Sequence, residues 1–379
     1  MRRCIERRSM TLSDPQTSHI PASEAEYFWY IGPPDGKEPW NPGARRPFTS
    51  DYARQLANSL DTLGFDGALF GTGAHDTWVL SSQLIAETKR LKFLLATYPM
   101  LISPILAAKM AQSFEYAAPG RVALNIVNAN SAVARSLGSG LDHASRYALT
   151  HEWLPLFRTA VSGQPFLFDG EHLHAEGKAE RLVGSEVALP ELWMAGSSPE
   201  AVDIAARHID RYLSWGEPPE VLGQKHIAVA QAAVAHGRKP SFGVRLNVIL
   251  RDTDEEAWDF AERIYRSVPL EKREAAMAGK AATDSVGIGR MAKLYEGRDI
   301  NDPRSLEFEP GLWLGLGLMQ FSGNSTTVIG SPATVKGVFA RYRRHGISTF
   351  ILSGYPLLEE AYRFGETVLP DLRHDTLEQ

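Results

Sequence analysis

The sequence predicts an α/β fold, a (β/α)8 TIM-type barrel with insertion segments, and three observations carry that expectation. Short strand-like apolar runs alternate with longer runs of helical period along most of the 379 residues. Eight strand candidates can be counted, the number a closed barrel needs. Strand ends also meet Gly- or Pro-rich helix starts, as in Tyr212-Leu213-Ser214-Trp215-Gly216-Glu217-Pro218-Pro219 and Ile351-Leu352-Ser353-Gly354-Tyr355-Pro356. A barrel strand delivers a side chain to the active-site rim in this way.

In chain order the strands are read at Tyr27–Ile31, Gly67–Phe70, Phe93–Thr97, Ala123–Val127, Glu191–Ala195, Arg211–Ser214, Ser241–Leu250 and Thr349–Ser353. Helical periodicity marks Ser50–Leu63, Pro104–Ala117, Ser145–Val161, Pro199–Arg207, Pro219–Ala235, Glu255–Arg266 and Pro332–His345, with a last helix from Leu357 to about Leu369. Three stretches exceed the minimal barrel and are expected as insertions: 35–47, 163–190 and 268–326. The part of the last from Lys280 to Pro303 is polar and is expected to be a mobile lid over the barrel mouth, with Arg290 or Arg298 reaching toward a bound anion. The domain expectation is a flexible arm over 1–22, one barrel domain over 23–371 and a short tail over 372–379.

With 44% hydrophobic and 22% charged residues, disorder of the whole chain is excluded. A formal net charge of -5 without a basic stripe argues against a nucleic-acid or membrane-surface protein and for small-molecule chemistry. The single cysteine, Cys4, allows no internal disulfide. Four arginines precede Met10 without an apolar segment behind them, so no secretory signal is expected, and neither is a membrane-spanning helix. The expected location is cytoplasmic.

Four constellations carry candidate chemistry. On the strand Ser241–Leu250, Gly243, Arg245 and Asn247 share one face. Arg245 is then either an anion clamp inside the barrel or half of a structural ion pair. Ser197 and Ser198 close a strand just before Pro199, which is either a phosphate cradle or a plain N-cap. His143, Ser145 and Tyr147, behind Asp142, are phosphate donors or a solvated helix start. Asn125, Asn128 and Asn130 could bond a planar heterocycle or only form a turn.

Taken together, Trp215-Gly216-Glu217-Pro218-Pro219-Glu220, Phe242-Gly243-Val244-Arg245-Leu246, Thr283-Asp284-Ser285-Val286-Gly287, Ser353-Gly354-Tyr355-Pro356 and Glu359-Glu360-Ala361-Tyr362-Arg363 closely resemble the FMNH2-dependent alkanesulfonate monooxygenases of the bacterial luciferase-like flavin monooxygenases. The resemblance runs collinearly over roughly residues 27 to 370. It implies reduced FMN supplied by a separate NAD(P)H-dependent flavin reductase, O2 as co-substrate, and C–S cleavage of an organosulfonate to sulfite and an aldehyde. It implies a homo-oligomer, dimer or tetramer. The family's phosphate cradle falls on His143, Tyr147, Ser197 and Ser198, its ring-facing strand end on Asn128, and Thr72 also matches. Its substrate-side residues fall on Trp215, which walls the pocket, Arg245, which holds the sulfonate, and Tyr355, which donates a hydrogen bond at the reacting centre.

Four departures bear on the substrate. Asn247 and Leu357 replace two histidines, Ala74-His75-Asp76 replaces a cysteine-bearing segment, and Gln320 replaces a loop arginine. Asn247 can donate to and accept from hydroxyl groups, which brings a sulfosugar such as sulfoquinovose beside simple alkanesulfonates. Two further alternatives share the barrel: a flavin-binding protein without catalysis, and an F420-dependent oxidoreductase.

Overall fold

A computed structural model describes residues 24–71, 73–180, 189–319 and 326–374. Eight parallel strands close into a barrel: β1 (Glu26–Ile31), β2 (Gly67–Phe70), β3 (Lys92–Thr97), β4 (Val122–Ile126), β5 (Glu191–Ala195), β6 (Arg211–Trp215), β7 (Ser241–Leu250) and β8 (Thr349–Ser353). Closure is made by β8 on β1, with Glu26 opposite Thr349. All eight strands stand where the sequence places them, to within a residue or two at their ends.

Many of the helices are begun by side-chain caps that the sequence supplies, whereas Pro219–Val234 and Leu357–Thr367 follow a proline without one. Thr49 accepts from the Tyr52 amide at the start of Ser50–Leu63, and Thr253 with Glu256 forms a reciprocal capping box on Asp254–Arg266. The last expected helix stands at Leu357–Thr367, and a further short helix, Leu369–His374, follows it. Pro370 has no N–H for the interior of a continuous helix, and it is tolerated in the first turn of a new one.

The main correction concerns the third insertion. A ninth parallel strand, Thr326–Gly330, pairs with Leu246–Leu250. This is possible because β7 is ten residues long. Its first half is used by β6 and β8, and its second half projects beyond them. The polar stretch 280–303 is not a loose loop. Helix Val286–Lys293 buries Met291, and Tyr295 is buried with its hydroxyl donating to the Leu314 carbonyl at 2.9 Å. Both pack into a second core with Trp258, Tyr265 and Trp313. Arg298 donates to the carbonyls of Leu294, Ser305 and Glu307, so it holds the excursion together and reaches no site.

Inside the barrel, Phe28, Leu94, Ala123, Trp193, Leu213 and Ile351 form a closed apolar layer, one residue from each of six strands. Trp193 is its centre, edge-on to Phe28 at 5.0 Å with the Arg211 guanidinium 4.3 Å from its ring. β7 adds no bulk there: a Cβ on Gly243 would lie 2.8 Å from Leu213 Cδ2. This layer is the floor beneath the C-terminal mouth. No helix among the described residues is long and apolar enough to cross a membrane.

Candidate active site

A cavity of about 360 Å³ opens at the C-terminal ends of β4 to β7. Of the candidate residues in the four constellations and the resemblance, nine line it: Asn125, Asn128, Asn130, His143, Tyr147, Ser197, Ser198, Trp215 and Arg245. Tyr355 and Asn247 do not line it, and Thr72 and Gln320 lie outside the described residues.

Asn128 sits just past β4, where Ala129 turns the chain with φ 56, a left-handed conformation uncommon for a residue with a Cβ. Its Oδ1 accepts from Thr150 Oγ1 at 2.6 Å, while Nδ2 is buried without an acceptor in bonding geometry. Asn125 likewise leaves a buried Oδ1 unpartnered on the same wall. Asn130 follows the bland alternative: its side chain caps helix Ser131–Ser136.

One corner of the cavity is hydroxyl-rich. Ser198 caps helix Pro199–His208 through the Ala201 amide, so the N-cap reading holds, yet both serines still line the cavity. Asp142 is also a cap, accepting from the Ser145 amide at 2.8 Å, which leaves His143 and Tyr147 on the next turn with rings 4.8 Å apart. Burial raises the Tyr147 pKa, opposed in part by Ser198 and Asn128, so its hydroxyl remains a donor at neutral pH.

The sequence reading named Arg290 of this corner and missed its second cation, Lys225. Lys225, on helix Pro219–Val234, donates from Nζ to Ser197 Oγ at 2.8 Å and stands 3.4 Å from Glu217 Oε1. Glu217 Oε2 is taken by Arg290 Nε at 2.7 Å. Burial lowers the Lys225 pKa to about 8; Glu217 opposes that shift and Arg290 adds to it. The ammonium therefore keeps its charge at neutral pH. Its only signal in the sequence was a lysine three residues after the buried Leu222, on the inward face of the helix.

The roof over the cavity is the segment Asp284–Ile288. Asp284 accepts from the Ser131 amide at 3.2 Å and from its hydroxyl, and buried Arg146 stands 3.9 Å away. The expected lid thus meets the site through Asp284 and Arg290, not Arg298.

On the barrel side, Arg245 is half-buried, and the face assigned from strand alternation is the interior one. Its guanidinium donates to the Leu246 carbonyl at 2.5 Å, the Ile351 carbonyl at 3.3 Å and Ser353 Oγ at 2.8 Å. Among the described residues no carboxylate lies within ion-pairing distance of it. The ion-pair alternative therefore fails there. Burial lowers its pKa, but a guanidinium stays protonated. Ser353 Oγ in turn donates to Asn247 Oδ1 at 2.7 Å, so Asn247, fully buried, orients Ser353 from behind the guanidinium. Tyr355 is buried close enough to Arg245 to feel its charge; burial raises the phenol pKa and Arg245 opposes the shift. Leu357 packs in the main core and does not line the cavity.

A family model described as luciferase-like monooxygenase matches residues 31–349. The chain belongs to that family. Among solved structures, this luciferase-like chain is similar to EDTA monooxygenase from Chelativorans sp. BNC1, at 16% identity and TM-score 0.72 over 93% of this chain and 95% of that one. It is similar to a long-chain alkane monooxygenase at 18% identity and TM-score 0.72, covering 93% and 92%, and to DmoA from Hyphomicrobium sulfonivorans at 17% and 0.70, covering 94% and 88%. At those identities the likeness is one of fold.

In this luciferase-like chain the link between the two halves of the site is Gly216, between Trp215 and Glu217. A Cβ there would lie 2.5 Å from Leu246 Cδ2 and 2.7 Å from Thr326 Cβ, against a strand whose Thr326 hydroxyl already bonds the Gly216 carbonyl. Gly216→Ala should lower stability by about 1–3 kcal/mol through overpacking. It should also displace Glu217 from Lys225 and Arg290. An unchanged melting temperature would show that the strand yields freely.

Proposed function

We propose that this chain is the oxygenase of a two-component system that takes reduced FMN from an NAD(P)H-dependent flavin reductase and cleaves the C–S bond of an organosulfonate to sulfite and an aldehyde. The observation that carries the substrate half is Arg245, a guanidinium at the barrel mouth held by neutral acceptors with no carboxylate beside it among the described residues. A sulfonate is anionic at every physiological pH and offers oxygens to the planar fork.

The cavity residues fit a flavin mononucleotide. The unpartnered Asn128 Nδ2 and Asn125 Oδ1 offer a donor and an acceptor to a planar heterocycle, and His143, Tyr147, Ser197 and Ser198 offer donors to a phosphate. When bound with O2, the reduced flavin supplies the oxidising chemistry. The chain's own residues bind, orient and exclude water. Arg245 holds the sulfonate, with Ser353 and Asn247 fixing its fork. Trp215, half-buried beneath the roof helix, walls the space between sulfonate and flavin. Tyr355, just past β8, stays protonated and lies close enough to Arg245 to feel its charge. Asp284 and Arg290 hold the roof that keeps water out.

Anaerobic titration tests this reading. Reduced FMN should bind at least about tenfold more tightly than oxidised FMN or either redox state of F420, a difference of about 1.4 kcal/mol. A long-chain alkanesulfonate should then change tryptophan fluorescence only in the flavin-loaded protein. Tight oxidised FMN with no preference for the reduced form would count against the cofactor half, and absence of any sulfonate response against the substrate half.

A further inference from the structure

Two cations share one carboxylate in the hydroxyl-rich corner. Glu217 Oε2 is committed to Arg290, which reaches that one oxygen through Nε at 2.7 Å and through Nη2. Lys225 has the remaining oxygen, and only at 3.4 Å. Its hydrogen bond to Ser197 Oγ at 2.8 Å is to a neutral group and supplies no countercharge. Other nearby carboxylates are engaged elsewhere: Glu200 faces His143 at 3.8 Å, and Asp284 is held by Ser131. The corner therefore carries an excess positive charge on a nearly buried ammonium. Burying a charge without a full partner is costly, so the arrangement is completed by an incoming anion.

Geometry narrows the anion. Lys225 lines the cavity beside Ser197 and Ser198, the hydroxyls that begin helix Pro199–His208, and the Nζ has three N–H bonds of which Ser197 and Glu217 account for two. The third is available to an oxygen seated among the serines, Tyr147 and the helix N-terminus. A phosphate monoester, carrying close to two charges at neutral pH, matches an excess cation plus neutral donors better than a neutral hydroxyl does.

We propose that Lys225 is a ligand of the cofactor's phosphate and is the residue that makes this site prefer a phosphorylated flavin to an unphosphorylated one. The inference rests on the flavin reading of the cavity. Through Glu217 the same ammonium is joined to Arg290 of the roof helix, so phosphate contact and roof position meet at one carboxylate.

The test is an anaerobic titration of reduced FMN and reduced riboflavin into the wild-type protein and into Lys225→Met, which keeps the length of the side chain without its charge. The wild-type protein should prefer reduced FMN by at least about 30-fold, as a charge-assisted hydrogen bond allows, and Lys225→Met should reduce the preference to within about fivefold by weakening FMN alone. Riboflavin affinity reports that the variant is folded. Inorganic phosphate should compete with reduced FMN in the wild-type protein and lose that effect in the variant, which separates a site for phosphate from one for the flavin ring. A variant that keeps the full preference, or that loses both flavins in equal proportion, overturns the role of Lys225 while the flavin reading stands. Wild-type protein that binds neither flavin overturns the flavin reading itself.

Discussion

Arg245→Ala should reduce the kcat/KM for sulfite release by at least about 1000-fold, near 4 kcal/mol, within the range for truncating one partner of a desolvated charge contact. The guanidinium lies on the barrel side of the cavity, where the proposed function assigns it the sulfonate, and its removal also frees the Leu246 and Ile351 carbonyls and Ser353. Reduced-FMN affinity should stay within a few-fold of wild type, because the hydroxyl-rich corner is built from other strands and helices. Arg245→Lys should recover only part of the loss, since an ammonium cannot span three acceptors as a planar fork does. Turnover within tenfold of wild type in Arg245→Ala would show that the anion is held elsewhere.

Trp193→Ala should destabilise the protein by about 3–5 kcal/mol, the range for removing a buried Trp or Phe from a core that cannot collapse around the gap. Trp193 is 1% exposed at the centre of the barrel floor, and strand spacing is held by ladder hydrogen bonds on both sides. The change also strips the ring from beneath the Arg211 guanidinium. A urea unfolding curve with unchanged slope and a lower midpoint is the expected record. A loss below about 1 kcal/mol would mean that neighbouring side chains fill the space.

The eight barrel strands were legible because each is followed by a helix, begun by a side-chain cap or, after β6 and β8, by a proline, so periodicity changes at every junction. Thr326–Gly330 was not. It follows an excursion of short helices and two- or three-residue strands, and its five residues carry no alternation that separates a strand from the end of a loop. Site residues at strand exits were readable for the same reason the strands were: Arg245 and Trp215 lie on or beside predicted β-segments, and Ser197 and Ser198 precede a proline-started helix. Asn247 was read as a substrate contact because alternation places it on the face of Arg245. The face was right, but Ser353 stands between it and the clamp. Lys225 escaped notice and Asp284, quoted in a motif, was given no role because their contacts join elements far apart in sequence: Lys225 meets Ser197, 28 residues away, and Asp284 meets Ser131, 153 residues away.

Sulfite release tests the central claim most directly. The protein is combined with FMN, NADPH, a generic flavin reductase and O2, and offered a series of alkanesulfonates of increasing chain length together with sulfoquinovose. At least one member should yield sulfite in proportion to the aldehyde formed, only when both the reductase and this chain are present, and not with Arg245→Ala. Protein that binds reduced FMN yet releases no sulfite from any of these sulfonates would contradict the account.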